Sequence, residues 1–281
     1  MKKIRAQKIT RMVAKLCQQA NYELGDDVLT ALKETRQKEV SPLARYALEK
    51  IMQNTAVAMQ QDLPLCQDCG TAVIFLEVGQ DVHITDGDIN QAIVEGVSRG
   101  YRRGFLRKSM VNKPFSSRIN TGDNTPPVIH TKIVPGSQLR IAVIPKGGGA
   151  ENMSRLAMLK PGDGNQGVVD AVLKTIDEAG GNPCPPLIIG LGIGGTTEKA
   201  MLLAKEALLR KLGESNHDPE VARLEKDILR RVNDLGIGAL GLGGSITALA
   251  VHAEVYPTHI ASLPVAINLQ CHSARHREAV L

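Results

Sequence analysis

Clusters of glycine divide this chain into short apolar segments, and they constrain its fold more than any other feature. The sequence contains 27 glycines in 281 residues, and the clusters stand at 147–149, 190–195 and 236–244. Apolar runs with strand character lie beside these clusters, and long stretches with helical spacing lie between them. Such an alternation of short strands, glycine turns and long helices predicts α and β layers that pack on each other.

We therefore predict the α+β class, with antiparallel or mixed sheets surrounded by helices in a single large domain over residues 1–281. Apolar residues recur at helical spacing in the first part of the chain, which predicts helices over about residues 1–62. Two strand-like runs, 128–134 and 139–144, flank a Pro-Gly turn and predict an antiparallel pair. The other predicted elements are strand 72–78, helix 89–103, helix 168–179, strand 187–193, helix 198–212, helix 219–234 and strand 260–268.

The composition excludes several functional classes. With 3 Phe, 4 Tyr and no Trp, the core must be aliphatic, and a net charge of +5 fits a small anionic substrate or an acidic partner. The charge is too weak and the aromatic content too low to predict nucleic-acid binding. There is no apolar run long enough for a membrane span and no signal-peptide pattern. Five cysteines, an odd number, favour a reducing cytoplasm.

Three cysteines stand where regular structure is expected to stop. Cys66 is next to Gln67 and Asp68, which places a thiol beside a carboxylate ahead of a flexible turn. Cys184 is flanked by prolines, which exclude a helix or a central strand there. Cys271 ends an apolar run and is followed by a polar, basic stretch. Three well-separated thiolates suit an iron–sulfur cluster that keeps one iron without a protein ligand.

Each of these cysteines also has a simpler interpretation. A free cysteine is commonly a small buried apolar residue, as we predict for Cys17 inside the first helical pattern. Cys66 and Cys69 form a CxxC pair, which could be a redox pair or half of a zinc site. No second CxxC exists, which disfavours a zinc ribbon. A non-catalytic iron–sulfur or zinc-binding interaction module remains an alternative of another class.

Polar and glycine-rich segments supply candidate substrate contacts. The three glycines at 147–149 follow a strand-like run, so their backbone N–H groups could approach an anion, although a tight turn is the simpler interpretation. The basic cluster that contains Arg107 could clamp a carboxylate or could be a solvated helix end. His259 alone is ordinarily a structural residue. The glycines at 190–195 have the wrong interval for a dinucleotide site.

Five motifs occur in order along the chain. They are Cys66-Gln67-Asp68 with Gly70-Thr71, Lys146 to Gly149, Asn182 to Pro186, Gly192 to Thr196, and His259 to His272. Together they resemble the iron–sulfur hydro-lyase family, which includes class I fumarases and L(+)-tartrate dehydratases. The resemblance covers nearly the whole chain and corresponds to the α subunit, the rest being carried by a separate β chain. The family usually has Thr where Cys69 stands here, so we expect that Cys69 is not a ligand.

The resemblance implies a 4Fe–4S cluster held by Cys66, Cys184 and Cys271. It implies that Asp68 is the general acid/base and that His259 is a second polar contact at the reaction site. His259 could serve its own chain or reach the site of a neighbouring protomer. The implied partners are a β subunit, a C4 dicarboxylate substrate, and further copies in an α homodimer or an α2β2 assembly. The substrate-binding residues that it implies are Gln67, Arg107, Gly147, Gly148 and Gly149.

The activity that the resemblance favours is the interconversion of fumarate and (S)-malate. L(+)-tartrate dehydration is the alternative within the same class, because the motifs of this chain do not visibly select for the extra hydroxyl. In the family, a threonine and further basic residues of the β part complete the site. We therefore expect the isolated α chain to be inactive.

Overall fold

The structure is a computed structural model that describes residues 1–281. None of its helices combines the length and the apolar character that crossing a lipid bilayer requires. The helices are α1 Ala6–Tyr22, α2 Asp26–Lys38, α3 Pro42–Gln61, α4 Ile89–Arg103, α5 Gly148–Glu151, α6 Gly164–Ala179, α7 Thr197–Ala207 and α8 Pro219–Asp234. The strands are β1 Lys2–Arg5, β2 Thr71–Gly79, β3 Val82–Thr85, β4 Val111–Asn112, β5 Ile119–Asn120, β6 Val128–Val134, β7 Leu139–Lys146, β8 Arg155–Leu159, β9 Leu187–Gly194, β10 Ala248–Tyr256, β11 Leu263–Gln270 and β12 Arg277–Val280.

The chain forms two compact units, each with a four-stranded mixed sheet and its own helices. This arrangement confirms the predicted α+β class, and α1 to α3 confirm the helical first part of the chain. The span of one domain over residues 1–281 stays a prediction. Unit 1 comprises Met1–Leu24, Thr55–Gly148 and Arg275–Leu281, and unit 2 comprises Gly25–Asn54 and Gly149–Ala274.

The sheet of unit 1 has the order β12-β7-β2-β6. The predicted direct pairing of 128–134 with 139–144 is wrong, because β2 lies between these two strands, parallel to β6 and antiparallel to β7. The residues of β2 are buried on both faces, whereas β6 is mostly exposed. The more apolar run therefore takes the central position, and the more polar run takes the edge.

Helices α1 and α4 pack closely together in the core of unit 1. Two glycines of α4 permit this approach, because a Cβ at Gly96 would lie 2.7 Å from Val13 Cβ and one at Gly100 would lie 2.9 Å from Cys17 Cβ. Cys17 is fully buried at this contact. Burial raises the pKa of its thiol to about 12, so Cys17 is a packing residue, as predicted.

The sheet of unit 2 has the order β10-β9-β11-β8. Helix α7 packs directly on β9, since a Cβ at Gly190 would lie 2.1 Å from Ala204 O and one at Gly192 would lie 1.9 Å from Ala200 O. The glycines of this strand therefore serve helix–sheet packing. The helix ends at Ala207, five residues before the predicted end at 212.

The strand directions in unit 2 determine which loops meet. Strand β11 runs antiparallel to β9, with Gln270 opposite Ile188 and Val265 opposite Ile193. The segment before β9 and the segment after β11 therefore lie at one edge of the sheet, and the turn before β11 lies at the other. Cys184 and Cys271 belong to the first edge, and His259 belongs to the second.

Candidate active site

The Asp68 carboxylate is held by backbone donors in the segment between α3 and β2. Its Oδ1 accepts a hydrogen bond of 2.9 Å from Gly70 N–H, and its Oδ2 accepts one of 2.6 Å from Gly148 N–H. The second donor belongs to the glycine cluster at 147–149, which the sequence indicated as an anion-binding backbone. In this structure that backbone binds a carboxylate of the chain itself, and it fixes where the Asp68 oxygens lie.

Two glycines bring backbone close to this carboxylate. Gly70 has a φ of +71°, and a Cβ there would lie 2.7 Å from Lys146 N, so glycine is required at this position. At Gly147, a Cβ would meet the Asp68 carboxylate at 3.3 Å, so the carboxylate would have to shift slightly to admit a side chain.

The two cysteines of the CxxC differ in their surroundings. Cys66 is partly exposed, its thiol donates to Gln67 Oε1 at 3.2 Å, and Asp68 N–H donates to its sulfur at 3.4 Å. Cys69 is 1% exposed and its sulfur accepts from Arg107 N–H at 3.2 Å. Burial raises the pKa of Cys69, opposed by the Arg107 N–H. Cys66 is therefore the thiol of this pair that a metal can reach.

The predicted substrate-binding side chains of unit 1 lie near this segment. The Arg107 backbone is bound to the Cys69 sulfur, whereas its side chain is exposed and forms no ion pair. Gln67 is also exposed and is next to Asp68 in the chain. Asp68, Gln67, Arg107 and Gly148 are thus brought to one region of unit 1.

Cys184 and Cys271 belong to adjacent segments of unit 2. Cys184 is exposed, with a φ of +58°, and its carbonyl accepts from His272 N–H at 3.2 Å. His272 Nδ1 also lies 3.0 Å from the same carbonyl oxygen. These contacts join the Pro-flanked turn to the residue that follows Cys271, so two of the three predicted ligands come from neighbouring backbone. Gly149, the third glycine of the 147–149 cluster, belongs to unit 2, where a Cβ would lie 3.3 Å from Asn182 O.

His259 is placed apart from these two cysteines. It lies in the exposed turn before β11, where Ala261 N–H donates to its Nδ1 at 3.2 Å. The turn lines an open cleft of about 790 Å³ at the start of α7, and no cysteine lines that cleft. The eight residues of β11, roughly 26 Å of extended chain, separate His259 from Cys271.

The accessibility of the thiols matches the predicted ligand set. None of the five cysteines forms a disulfide, and the three predicted ligands are the three that are not buried. Cys66 belongs to unit 1, and Cys184 and Cys271 belong to unit 2. Neither unit contains a group of three or more His, Cys, Asp or Glu side chains placed to hold a metal ion.

Sequence reasoning missed Arg275. It stands in the polar, basic stretch that follows Cys271, yet it is 2% exposed and its Nη1 donates to Asp68 O at 2.7 Å. No local pattern marks this residue, because its burial depends on residues far away in the chain.

A family model described as fumarate hydratase (Fumerase) matches residues 10–280. The chain belongs to this family, and it is a hydro-lyase. The resemblance found in the sequence motifs is therefore confirmed.

Curated relatives extend the likeness over nearly the full chain. A Methanocaldococcus jannaschii protein, provisionally named L(+)-tartrate dehydratase subunit alpha, is 44% identical over 273 residues, which cover 95% of each chain. The L(+)-tartrate dehydratase subunit alpha of Escherichia coli strain UTI89 is 31% identical over 98% of this chain and 90% of that protein. The protein of the same name from strain K12 is 30% identical with the same coverage.

Proposed function

We propose that this hydro-lyase is the α subunit of a two-subunit 4Fe–4S enzyme that interconverts fumarate and (S)-malate. The observation that carries the proposal is the Asp68 carboxylate, which two backbone N–H groups hold beside the accessible thiol of Cys66. A fixed carboxylate next to a metal ligand is what a reaction that moves a proton at a metal-bound substrate requires.

The thiols present fit an iron–sulfur cluster, and we assign Cys66, Cys184 and Cys271 as its ligands. Their accessibility, the absence of disulfides and the irregular backbone at each position support the assignment. When bound, such a cluster supplies a Lewis-acidic iron that binds oxygen atoms of the substrate. Cys69 is buried with a raised pKa, which supports its exclusion from the set.

Asp68 is the residue that we assign to proton transfer. Hydration adds one proton and one hydroxyl across the double bond, and dehydration removes them. Each Asp68 oxygen accepts one backbone hydrogen bond, so each retains a lone pair that can take a proton. These two hydrogen bonds hold the Asp68 side chain in one orientation. Less conformational entropy is therefore lost when the carboxylate reaches the reactive geometry.

Binding of the substrate carboxylates is assigned to the exposed guanidinium of Arg107, to Gln67 and to the backbone at Gly147 and Gly149. Gly148, which the sequence grouped with them, gives its N–H to Asp68 Oδ2 and so acts through that carboxylate. Arg107 forms no ion pair within the chain, so its fork of donors remains open to a carboxylate. A C4 dicarboxylate has two carboxylate groups, so a cationic side chain could bind one of them and backbone N–H groups the other.

The assembly that we propose contains a β subunit and at least two α chains. The relatives carry the name subunit alpha, which implies a β partner. His259 lies at the sheet edge opposite Cys184 and Cys271, which supports a role for it in the site of a neighbouring protomer, in an α homodimer or an α2β2 assembly. A reducing cytoplasm is the proposed compartment, since the cysteines are not paired.

L(+)-tartrate dehydration is the second candidate function, favoured by the names of the relatives. L(+)-Tartrate carries one hydroxyl group more than (S)-malate, and the residues of this chain that we assign to binding are assigned to carboxylates, which both molecules share. The choice between them therefore has to be made with the complete enzyme.

The decisive experiment is anaerobic purification of the chain, alone and with its β subunit, followed by iron and sulfide analysis and assays with fumarate and L(+)-tartrate. We expect four iron and four sulfide per chain and activity only in the complex. Zinc without sulfide, and no activity in the complex, would instead identify a metal-binding interaction module.

A further inference from the structure

Arg275 is a buried cation without an anionic partner. Only 2% of the residue is exposed, and its Nη1 donates to two neutral acceptors, Asn21 Oδ1 at 3.1 Å and Asp68 O at 2.7 Å. Its Nε is buried without a hydrogen-bond partner. By contrast, Arg277 and Arg140 pair with glutamates. Because burying a guanidinium that forms no ion pair and leaves one N–H unsatisfied is costly, its position calls for a functional explanation.

The guanidinium and the Asp68 carboxylate face the same glycine. A Cβ at Gly147 would lie 3.5 Å from Arg275 Nη2 and 3.3 Å from Asp68 Oδ2. Arg275 therefore holds the Asp68 peptide from one side, while Gly148 N–H and Gly70 N–H hold its carboxylate. Asn21 holds Nη1 from the side of α1, where its own Nδ2 is fixed to Cys17 O at 2.9 Å. These contacts connect Asp68 to the core of unit 1.

We propose that Arg275 is the positioning residue for Asp68. Its planar guanidinium fixes the position of the Asp68 carbonyl relative to α1. This keeps the Asp68 carboxylate within hydrogen-bond distance of its two donors, the N–H groups of Gly70 and Gly148. The inference rests on the proposed role of Asp68 in proton transfer. The planar fork matters because a lysine ammonium on a flexible stem donates without fixing direction.

The test compares Arg275→Lys with Arg277→Lys in the complex with the β subunit. Arg277 is the matched control, because it joins the same stretch to Glu23 and Leu24 and does not contact Asp68. A displaced acid/base lowers kcat and leaves KM nearly unchanged, and misplacement of about 1 Å costs on the order of 100-fold. We expect Arg275→Lys to lower kcat about 10- to 100-fold at unchanged iron and sulfide content, and Arg277→Lys to lower it less than about 2-fold. A raised KM with unchanged kcat would show instead that Arg275 binds substrate, and would overturn the inference.

A second measurement uses the chain without any assay of activity. Amide hydrogen exchange at Gly70 and Gly148 reports the two bonds that hold the Asp68 carboxylate. We expect faster exchange at both amides in Arg275→Lys, but not in Arg277→Lys. Unchanged exchange in Arg275→Lys would overturn the inference even if the enzyme is active. If instead the wild-type complex hydrates neither substrate while exchange responds as expected, the proposed function fails and the positioning contact stands. Arg275→Gln, which keeps a donor without the charge, serves if the lysine variant does not fold.

Discussion

In unit 1, the Asp68 segment is held at its carbonyl, at its N–H and at both carboxylate oxygens, whereas in unit 2 the sulfurs of Cys184 and Cys271 stand accessible on loops. The loops of unit 2 are joined by backbone bonds such as that from His272 N–H to Cys184 O. The difference separates two requirements. The proton-transfer group that we propose needs a fixed direction, while the thiolate ligands that we propose need access and a defined backbone.

The largest effect should follow from a change in the unit 2 thiols. If Cys184 and Cys271 hold the cluster that we propose, replacing either by Ser removes a soft ligand, and we expect loss of iron, sulfide and all activity. Cys69→Thr is the matched control, because Cys69 is a buried thiol and should leave the metal content unchanged. If Cys184→Ser retains four iron per chain, the ligand assignment is wrong.

Asp68→Asn should have the next largest effect, because it removes the proton-transfer group and leaves the thiols in place. We expect kcat to fall about 100- to 10,000-fold with normal cluster absorbance. Asp81→Asn, an exposed carboxylate of the same unit, is the control. A variant that loses its cluster would contradict the separation of the two requirements.

Gly70→Ala tests how rigidly unit 1 is built around Asp68. The alanine must adopt a φ of +71° and place its Cβ 2.7 Å from Lys146 N, so we expect a loss of unfolding free energy of at least about 1–3 kcal/mol. Gly136 also has a positive φ, +98°, but an added Cβ there would meet no neighbouring atom. Gly136→Ala therefore measures the cost of the backbone conformation without a steric clash. Chemical denaturation measures both variants, and an equal loss would show that the Lys146 contact yields easily.

The smallest effect on activity should follow from a change at the buried thiol of Cys17, whose reactivity should nevertheless differ clearly from that of the accessible thiols. Cys17→Ala should leave kcat unchanged. With a pKa of about 12, only about one thousandth of the Cys17 thiols ionise at pH 9, so alkylation there should be slow and should rise with pH. In the cluster-free chain, we expect iodoacetamide to label Cys66, Cys184 and Cys271 first, as peptide mass spectrometry would show. Early labelling of Cys17 would be evidence against its burial.

Local signals in the sequence predicted local structure well. Asp88 caps α4 by accepting from Gln91 N–H at 2.8 Å, and Ile89–Arg103 has the predicted bounds. Helix α8, Pro219–Asp234, also has the predicted bounds. These features depend on neighbouring residues, so a linear pattern is sufficient to predict them.

Strand order and contacts between residues far apart in the chain could not be predicted from the sequence. The insertion of β2 between β6 and β7 depends on which apolar run competes best for the centre of the sheet. The burial of Arg275 depends on Asn21 and Asp68, 254 and 207 positions away. The family and the enzyme class were predicted through the motifs and are confirmed, whereas the assigned site residues stay predictions.

Unit 1 is assembled from three separate stretches, and the last of them, Arg275–Leu281, supplies both β12 and the guanidinium behind Asp68. During synthesis on the ribosome, every residue of unit 2 is translated before this stretch appears. A nascent chain can therefore display Cys184, far earlier in the sequence than Arg275, while the Asp68 loop still lacks its support. We therefore expect the Asp68 loop to reach its fixed arrangement only after Arg275 has been translated.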